Sequence, residues 1–554
     1  MDATGHFASI LAVFFETFFL KVCPSEVCPP FYACHLIHRC TSMTDMERGL
    51  SSFFDLCAQK ARFIRRCGAT SDPVVTGLEY DSRRVQPGNL YCALPGIHTD
   101  GHKFIGDALK RGAVVVVHQE PIAAPDPSVV YLQVQDSRYA LSPLAAAFYG
   151  FPSRKMRVIG VTGTEGKSTT VYLIHQLLCA AGKKSGFIST VRQGDGVHER
   201  ENPEHQTTPE APIVHRLLAQ MLNNGCQYAV VEASSHGLSQ RTNRLGDIAF
   251  TAAVCTNVRH EHLEFHGTWE QYRSDKANLF RSLDPACGFG VMNSTDPSAD
   301  YFACATAAPV YRYSSRKDPE ADLAITALES TGDGNTYTVY LRETGKSITL
   351  TDQLPGAFNA DNVLAALLTV SHLTNHSVAS LAPLVAHLVP VKGRMTAVTQ
   401  GQNFEVIVDY AHTPSSFETI FPPLRARLDK TGGRIISVFG SAGERDTQKR
   451  PLQGQIASHY SDILVLTDED PRGEPPLAIL EDIAAGCPER IRNVDLFCIP
   501  DRPSALRKAF SLAQAGDLVL LLGKGHENSL IYADETRAYD EISEAQRALA
   551  ERGQ

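Results

Sequence analysis

The chain has 554 residues, of which 43% are apolar and 20% charged, with a formal net charge of −9. This is the make-up of a soluble globular protein, and at ~100–200 residues per domain it holds about three domains. The acidic balance argues against a general nucleic-acid binder and leaves any anionic ligand to be held by local groups. Fourteen cysteines are spread along the chain. Cys92, Cys179, Cys255 and Cys498 sit singly in apolar runs and read as buried thiols of a reducing compartment. Cys23, Cys28, Cys34 and Cys40 cluster without a C-x-x-C pair, which argues against zinc.

Residues 1–45 form an extension of uncertain origin. Ile10 to Leu20 is apolar but carries Glu16, and it is too short to span a bilayer. No basic segment precedes it and no clear small-residue cleavage site follows. The reading is that synthesis begins at Met43 or Met46, so nothing functional is built on this segment. No membrane span is expected, and the cytoplasm is the expected location.

Residues 46–150 alternate short strands and helices. Pro73 to Tyr80 reads as a strand that runs into Asp81-Ser82-Arg83-Arg84, which composition alone makes a solvated turn. Asn89 to Leu94 is a second strand, Thr99 to His102 a turn, Phe104 to Arg111 a helix and Ala113 to His118 a strand.

Residues 151–388 open on Met156 to Thr170, M-R-V-I-G-V-T-G-T-E-G-K-S-T-T. An apolar β-branched run ends in a Gly-rich turn, and Val171, Ile174, Leu177 and Leu178 then recur at helical spacing. Strand, loop and helix are the context of a phosphate-binding loop. Gly163 and Gly166 free the backbone to aim amides at phosphate oxygens, and the helix N-terminus adds positive charge. Lys167 is then placed for the outer phosphates and Ser168 for Mg²⁺. Thr164 and Glu165 are the two residues between the glycines, where the usual spacing has four, and Gly160 lies further back.

Two further buried strands are expected. Tyr228–Val231 ends in Glu232, and Ile248–Cys255 ends in Thr256-Asn257. In a parallel sheet all three strand ends converge on one ligand. Glu232 is then either a Mg²⁺ group or a helix cap. Arg259 to Gly267 holds three histidines without H-E-x-x-H, and its carboxylates suit a hard cation better than zinc. From pattern alone Lys276, on a helix from Thr268, is a surface lysine, and Asn362 is the N-cap of a helix over Val363–His372. His387 to Lys392 reads as a linker.

Residues 389–554 show the βαβ rhythm of a second parallel sheet, with strands at Val406–Val408, Ile435–Phe439, Ile463–Leu466, Leu496–Ile499 and Leu518–Leu522. Polar clusters follow four of them: Asp409 to His412, Gly443 to Asp446, Thr467 to Arg472 and Gly523 to Glu527. Four in one place argue for a ligand face.

The motifs in this order resemble those of the Mur ligases of bacterial cell-wall synthesis. They are D-S-R at 81–83, D-G-H at 100–102, G-T-x-G-K-S-T-T at 163–170, T-T-P at 207–209, E-x-S-S-H-G-L at 232–238 and T-N at 256–257. H-L-x-x-H-G at 262–267, P-G-x-F-N at 355–359, D-Y-A-H-T-P at 409–414, G-x-R-D at 443–446 and G-K-G-H-E at 523–527 follow. D-Y-A-H-T-P with G-K-G-H-E resembles the branch that adds the third peptide residue.

The resemblance implies an α/β protein of three domains. These are an N-terminal UDP-binding α/β domain, a central P-loop ATPase-like parallel sheet, and a C-terminal Rossmann-like domain that binds the amino acid. It implies ATP and Mg²⁺ as cofactors, and a UDP-N-acetylmuramoyl-dipeptide and a diamino acid as partners. No nucleic acid, no membrane and a monomer are expected.

By matched position, Tyr80, Ser82 and the turn Ile97-His98-Thr99 face the uridine nucleotide. Thr207, Thr208, Ser234, Gln240 and Arg244 face the muramoyl-peptide. Gly163, Thr164, Glu165, Gly166, Lys167, Ser168, Thr169, Asn359, Asn362, Arg394 and Asp409 serve the nucleotide. Ser168, Glu232, His262 and Lys276 serve the metal, with Lys276 at the position the family carbamoylates. Lys167, Lys276, His262 and Arg445 are the expected catalytic set. Arg445, Glu469, Asp470, Pro471, Arg472, Gly523 and Glu527 match the amino-acid site. Glu165 replaces the family's usual Asn, a departure the sequence does not explain.

The implied chemistry is phosphorylation of a D-glutamyl carboxylate followed by attack of the diamino acid. Arg472 suits a distal carboxylate, as in diaminopimelate. Asp470, where that branch typically has Asn, suits a distal ammonium, and the balance falls slightly to lysine or ornithine. Alternatives are another Mur ligase, a folylpolyglutamate-synthetase-like ligase, or a P-loop module that binds nucleotide without ligating. A Rossmann dehydrogenase is disfavoured, since no G-x-G-x-x-G with a later acidic residue is evident.

Overall fold

Three large β-sheets follow one another along the chain, with two two-stranded ribbons beside them among the described residues. The computed structural model describes residues 47–552 apart from 97–98, 205, 260–262 and 332–333, together with the side chains of all but Leu263 and Glu264 among them. The calls on Ile97, His98 and His262, and those on residues 1–45, lie outside the described residues.

The first sheet has five strands: β1 (Phe63–Gly68), β2 (Gly77–Glu79), β3 (Asn89–Cys92), β4 (Val115–His118) and β5 (Val130–Val134), in spatial order β1-β5-β4-β3-β2. β2 to β5 run parallel and β1 closes the edge antiparallel. The expected strand Pro73–Tyr80 is split. Val74–Val75 pairs with Arg48–Gly49 in a separate ribbon, and Gly77–Glu79 joins the sheet. Helix α1 (Ser137–Phe148), capped by the Asp136 carboxylate, packs its Ala- and Leu-rich face under the sheet.

The central sheet has eleven strands. In chain order they are β6 (Arg157–Thr162), β7 (Ser185–Ile188), β8 (Arg192–Gly194), β9 (Glu199–Glu201), β10 (Tyr228–Glu232), β11 (Phe250–Cys255), β12 (Phe289–Asn293), β13 (Val310–Ser314), β14 (Leu323–Ser330), β15 (Asn335–Leu341) and β16 (Lys346–Asp352). The spatial order is β9-β8-β7-β10-β6-β11-β12-β13-β14-β15-β16. Its middle is parallel as expected, but both margins are antiparallel. The pattern of β15 explains the difference. Alternate residues Asn335, Tyr337, Val339 and Leu341 are buried while their neighbours are partly or fully exposed, the signature of a sheet covered on one side.

Helix α2 (Lys167–Ala180) and α5 (Asn359–Thr374) cover one face of the parallel part, with Ile159 and Val161 in that core. Helix α3 (Ala211–Asn223) and α4 (Trp269–Arg281) cover the other, with Val158 and Val231. β6 lies between β10 and β11, so its carboxyl end opens at the point where chain connections diverge to either side.

The third sheet has six strands: β17 (Thr396–Ala397), β18 (Glu405–Asp409), β19 (Ile435–Phe439), β20 (Ile463–Leu466), β21 (Leu496–Cys498) and β22 (Leu518–Leu522), in order β17-β18-β22-β19-β20-β21. All but β17 are parallel. Successive residues Ile435 and Ile436 enter cores on opposite faces, under α6 (Pro414–Leu428) on one side and α7 (Arg502–Leu512) with α8 (Glu541–Arg552) on the other. Both faces are covered, which is why these strands read as unbroken apolar runs.

Among the described cysteines none is in a disulfide. Cys92 and Cys255 are buried as expected, Cys498 is half-buried, and Cys179 is exposed because α2 ends one residue later.

Candidate functional site at the lobe junction

The turn after β6 is held from below by the end of β11. Thr164 N–H donates to the Asn257 carbonyl at 2.8 Å, and Glu165 N–H to Asn257 Oδ1 at 3.0 Å. Thr256 Oγ1 and Asn257 Nδ2 both donate to the Glu165 carbonyl, at 2.5 and 3.2 Å. The Thr-Asn pair therefore fixes the backbone of Glu165. These anchoring bonds are made by its main chain and do not depend on its side chain. Gly163 has φ +145° and Gly166 +81°, and a Cβ at Gly166 would lie 2.5 Å from Asn362 Oδ1. Lys167 Nζ folds back to the Thr164 carbonyl at 2.7 Å.

Beside the turn, Ser168 Oγ donates to both oxygens of Glu232, at 3.1 and 2.9 Å. Thr190 holds the same carboxylate through its N–H at 2.8 Å and its hydroxyl at 2.9 Å. Glu232 is 1% exposed. It does not cap a helix. That role falls to Ser234, whose Oγ accepts the Gly237 N–H. Hydroxyl and carboxylate oxygens are the donor set of a hard cation, so this pair fits Mg²⁺. Among the described residues no group of three or more His, Cys, Asp or Glu stands ready for a metal.

Lys276 overturns the surface reading. It is 1% exposed, because α4 packs that face against the phosphate loop. Its Nζ lies 2.5 Å from the Gly163 carbonyl and 4.5 Å from the Tyr272 ring centroid. Tyr272, one turn earlier, meets Thr164 Oγ1 with its hydroxyl at 2.9 Å. The i, i+4 spacing of Tyr272 and Lys276 puts both on the loop side of α4.

Asn362 is not the N-cap. The helix begins at Asn359, and Asn362 lies inside its first turn, where Oδ1 accepts from Thr170 Oγ1 at 3.1 Å and Nδ2 donates to Asn359 Oδ1 at 3.0 Å. The helix therefore starts four residues earlier than expected, and Asn362, held by Asn359, lies against Gly166.

Across the junction Asp409 accepts the N–H groups of Met395 and Ala411, each at 2.8 Å. Burial raises its pKa, while the nearby Arg394 lowers it. Arg394 lies over the Tyr410 ring at 4.8 Å, and its buried Nε has no partner. An apolar recess lined by Phe358, Met395, Ile407 and Ile420 opens between the central and third sheets.

The third sheet also gathers its loops. Buried Lys524 donates to Asp470 Oδ1 at 2.9 Å and to Glu527 Oε2 at 2.6 Å. Burial opposes its charge, yet Glu527 and Asp470 hold its pKa above the ordinary lysine value. Asp470 Oδ1 also accepts the Ile531 N–H at 3.0 Å. The charge expected to welcome a distal ammonium is therefore matched within the protein. Glu469 Oε2 and Arg472 Nε, by contrast, are buried without partners, and Gly523 leaves room against Glu469. Pro471 is buried in the same turn. Gly443 N–H reaches the Asp470 carbonyl at 2.8 Å, so the G-x-R-D turn abuts this loop, with Arg445 itself exposed. Burial, then the charges of Arg394, Lys392 and Lys524, press His526 down to about 3.

On the other side of Glu232, Thr208 Oγ1 donates to the Glu232 carbonyl at 2.8 Å and meets Ser234 Oγ at 2.9 Å. Arg244 reaches the Thr208 carbonyl at 2.9 Å and Glu210 at 3.0 Å, so it joins this group. Thr207 is half-buried and Thr169 buried, whereas Gln240 is exposed. In the first lobe Tyr80 packs on both neighbouring cores, and burial pushes its hydroxyl up to about 12. Ser82 begins a single 3-10 turn in which Asp81 pairs with the exposed Arg83, the solvated turn composition gives. Thr99 is exposed. Glu201, on β9, ties the central sheet to the third lobe through Lys392 at 3.1 Å and Asn528 at 3.1 Å.

Thr190 was not singled out by the sequence, and His266 stood in the H-L-x-x-H-G motif without a role of its own. Thr190 is 42 positions from its partner Glu232, and no local pattern marks it.

A nucleotide loop facing a second lobe with an amino-acid-like cluster is the build of an ATP-dependent ligase. Three family models match in chain order: Mur ligase family, catalytic domain (residues 74–149), Mur ligase middle domain (161–370) and Mur ligase, glutamate ligase domain (393–525). The chain belongs to the Mur ligase family. It is 49% identical over 513 residues to a UDP-N-acetylmuramyl-tripeptide synthetase of Treponema denticola, covering 88% of this chain and 96% of that one. A protein of the same description from Treponema pallidum is 49% identical over 505 residues, covering 86% and 93%. A UDP-N-acetylmuramoyl-L-alanyl-D-glutamate–2,6-diaminopimelate ligase of Geobacillus thermodenitrificans is 39% identical over 487 residues, covering 87% and 96%. A solved structure of a ligase of that last description matches with TM-score 0.57 at 28% identity, over 87% of this chain and 96% of its own. A MurF ligase from Thermotoga maritima in complex with ADP shares the fold, with TM-score 0.59 at 18% identity over 86% and 98%.

Proposed function

We propose that the chain joins a diamino acid to UDP-N-acetylmuramoyl-L-alanyl-D-glutamate at the expense of ATP, as its relatives' names describe, and acts as a monomer in the cytoplasm. The observation that carries this is the joint position of three groups at the end of β6: the anchored glycine turn, the Ser168–Glu232 pair and the buried Lys276 amine.

Ser168 and Glu232 would hold Mg²⁺, which supplies charge neutralisation between phosphate and carboxylate. His262 would join them as a ligand, as would Lys276 once carbamoylated. Lys167 would swing from the Thr164 carbonyl to the outer phosphates. The loop amides hold the triphosphate, and Asn359, Asn362, Arg394 and Asp409 orient the nucleoside beside the apolar recess. Thr207, Thr208, Ser234, Gln240 and Arg244 would hold the muramoyl-peptide so that the side-chain carboxylate of its D-glutamate meets the γ-phosphate. Tyr80, Ser82 and the turn 97–99 would hold the uridine end.

Transfer of the phosphoryl group to that carboxylate gives an acyl phosphate, and the incoming amine displaces phosphate. Because both reactants are anionic, positioning and charge compensation dominate the rate. For the amine, Glu469 Oε2 offers an unpaired acceptor and Arg472 Nε an unpaired donor. With Asp470 already matched by Lys524, Arg472 is read as the α-carboxylate partner, with Arg445 closing over it. Glu469 is read as the ammonium partner, with Glu527, which also holds Lys524, beside it. The preference for lysine or ornithine over diaminopimelate then rests on Arg472 being taken up by the α-carboxylate.

Lys167→Ala should abolish tripeptide formation in a folded protein, and turnover of wild-type rate in that variant would end the reading. Parallel assays with lysine, ornithine and meso-diaminopimelate decide the amino acid. A preference of tenfold or more for diaminopimelate would reverse the assignment of Arg472. Slow ATP hydrolysis indifferent to the muramoyl-dipeptide would instead mark a non-ligating module.

A further inference from the structure

His266 is 0% exposed in its side chain and lies between two partners. Its Nδ1 is 2.8 Å from Asp275 Oδ2, and its Nε2 is 3.1 Å from Ser235 Oγ. A carboxylate can only accept, so Nδ1 carries the proton and Nε2 accepts the serine O–H. The constellation is that of a hydrolytic triad. Ser235, however, is 2% exposed and its hydroxyl is directed at the histidine, so it is closed to a substrate.

What the three residues join is more informative. Ser235 follows Ser234 at the carboxyl end of β10. His266 closes the one-turn helix Leu263–His266. Asp275 directly precedes Lys276 on α4. Along α4, Tyr272, Asp275 and Lys276 are spaced i, i+3, i+4. Tyr272 and Lys276 contact Thr164 and Gly163 of the phosphate loop. Asp275 faces His266, and Gln271 Nε2 holds its other oxygen at 3.0 Å. One helix thus touches the nucleotide turn on one flank and, through one imidazole, the Ser234 turn on the other.

We infer that His266 is a positioning residue, clamped by Asp275 and Ser235, that sets the distance between the Ser234 turn and the Lys276–phosphate-loop assembly. The inference rests on the ligase reading above, since it assigns the acceptor carboxylate to one side of that distance and the phosphoryl donor to the other. Each half-site keeps its own contacts when the clamp is cut, so each ligand should bind while the two reacting groups drift apart. A shift of about 1 Å costs on the order of 10²-fold in rate.

The test uses the full chain with ATP, the muramoyl-dipeptide and its diamino acid. Ser235→Ala removes one hydrogen bond and no cap, since Ser234 is the cap. His266→Gln removes the bridge. Both should lose about 10- to 100-fold in kcat, with KM for ATP and for the muramoyl-dipeptide within about threefold of wild type. Affinity for ADP, measured by calorimetry, should be unchanged. Asp275→Asn, which still offers an oxygen to Nδ1–H, should recover most of kcat. If Ser235→Ala and His266→Gln turn over within twofold of wild type, or lose activity only in proportion to the folded fraction, the clamp is structural and the inference is overturned. Failure of the wild-type chain to form tripeptide would defeat the ligase reading instead.

Discussion

Arg502 offers the sharpest stability test in the molecule. It is 0% exposed and forms a two-pronged pair with Glu541, also 0% exposed, through Nε–Oε2 and Nη2–Oε1 bonds of 2.8 Å each. The same guanidinium donates to the Asp468 carbonyl at 3.0 Å and the Leu522 carbonyl at 2.8 Å. These are the residues from which the loops bearing Glu469 and Gly523 depart, so the pair buttresses the ligand face from beneath. Arg502→Met keeps an unbranched apolar stem, removes four hydrogen bonds and leaves Glu541 buried without its partner. Breaking a buried pair from one side costs about 3–5 kcal/mol. For a lobe of this size, each kcal/mol lowers the melting temperature by roughly 2–4 °C. A loss of roughly 6–20 °C is therefore expected in the transition of the third lobe, read by calorimetry. Replacing both residues, Arg502→Met with Glu541→Leu, should restore most of it, because the stranded charge is gone. A single variant that loses under about 1 kcal/mol, or a double variant no more stable than the single, would refute the argument.

Gly166→Ala places a Cβ 2.5 Å from Asn362 Oδ1 at a φ of +81°, so nucleotide affinity measured by calorimetry should fall tenfold or more in a folded chain. His215 is fully buried with neither ring nitrogen partnered, and burial lowers its pKa from 6.5 to about 4. Its folded form is the harder to protonate, so the unfolded chain binds more protons between those values, and stability falls as pH drops through that window. His215→Leu should raise the melting temperature near neutral pH, removing a desolvation cost of about 1–3 kcal/mol, and should flatten the decline between pH 6.5 and 4. An unchanged slope would show that other groups carry it.

Strands β19, β20 and β22 were legible to the residue because a strand buried on both faces is an unbroken apolar run between polar loops. β6 and α2 were legible because the glycine turn punctuates a change of period from 2 to 3.6. β14 to β16 escaped because one of their faces is in water, so alternation with threonines and charges hid them. The site divides along the same line. Residues that act through the backbone or at a strand end, such as Gly163, Ser168 and Glu232, advertise themselves locally. Lys276 does not, since the carbonyl that receives it is 113 positions away, and nothing in a lysine flanked by aspartate and alanine announces burial. The partner of Asp470 is hidden in the same way: Lys524, which matches its charge, is 54 positions downstream.

The bridge at Glu201 has a mechanical consequence. A single carboxylate on the outermost strand of the central sheet receives both Lys392, ahead of the third lobe, and Asn528, just beyond its G-K-G-H-E turn. Half exposed, such a contact is worth no more than about 1 kcal/mol, little above thermal energy. A contact this weak would let the third lobe part from the central sheet at little cost, and dissolved salt would loosen it further.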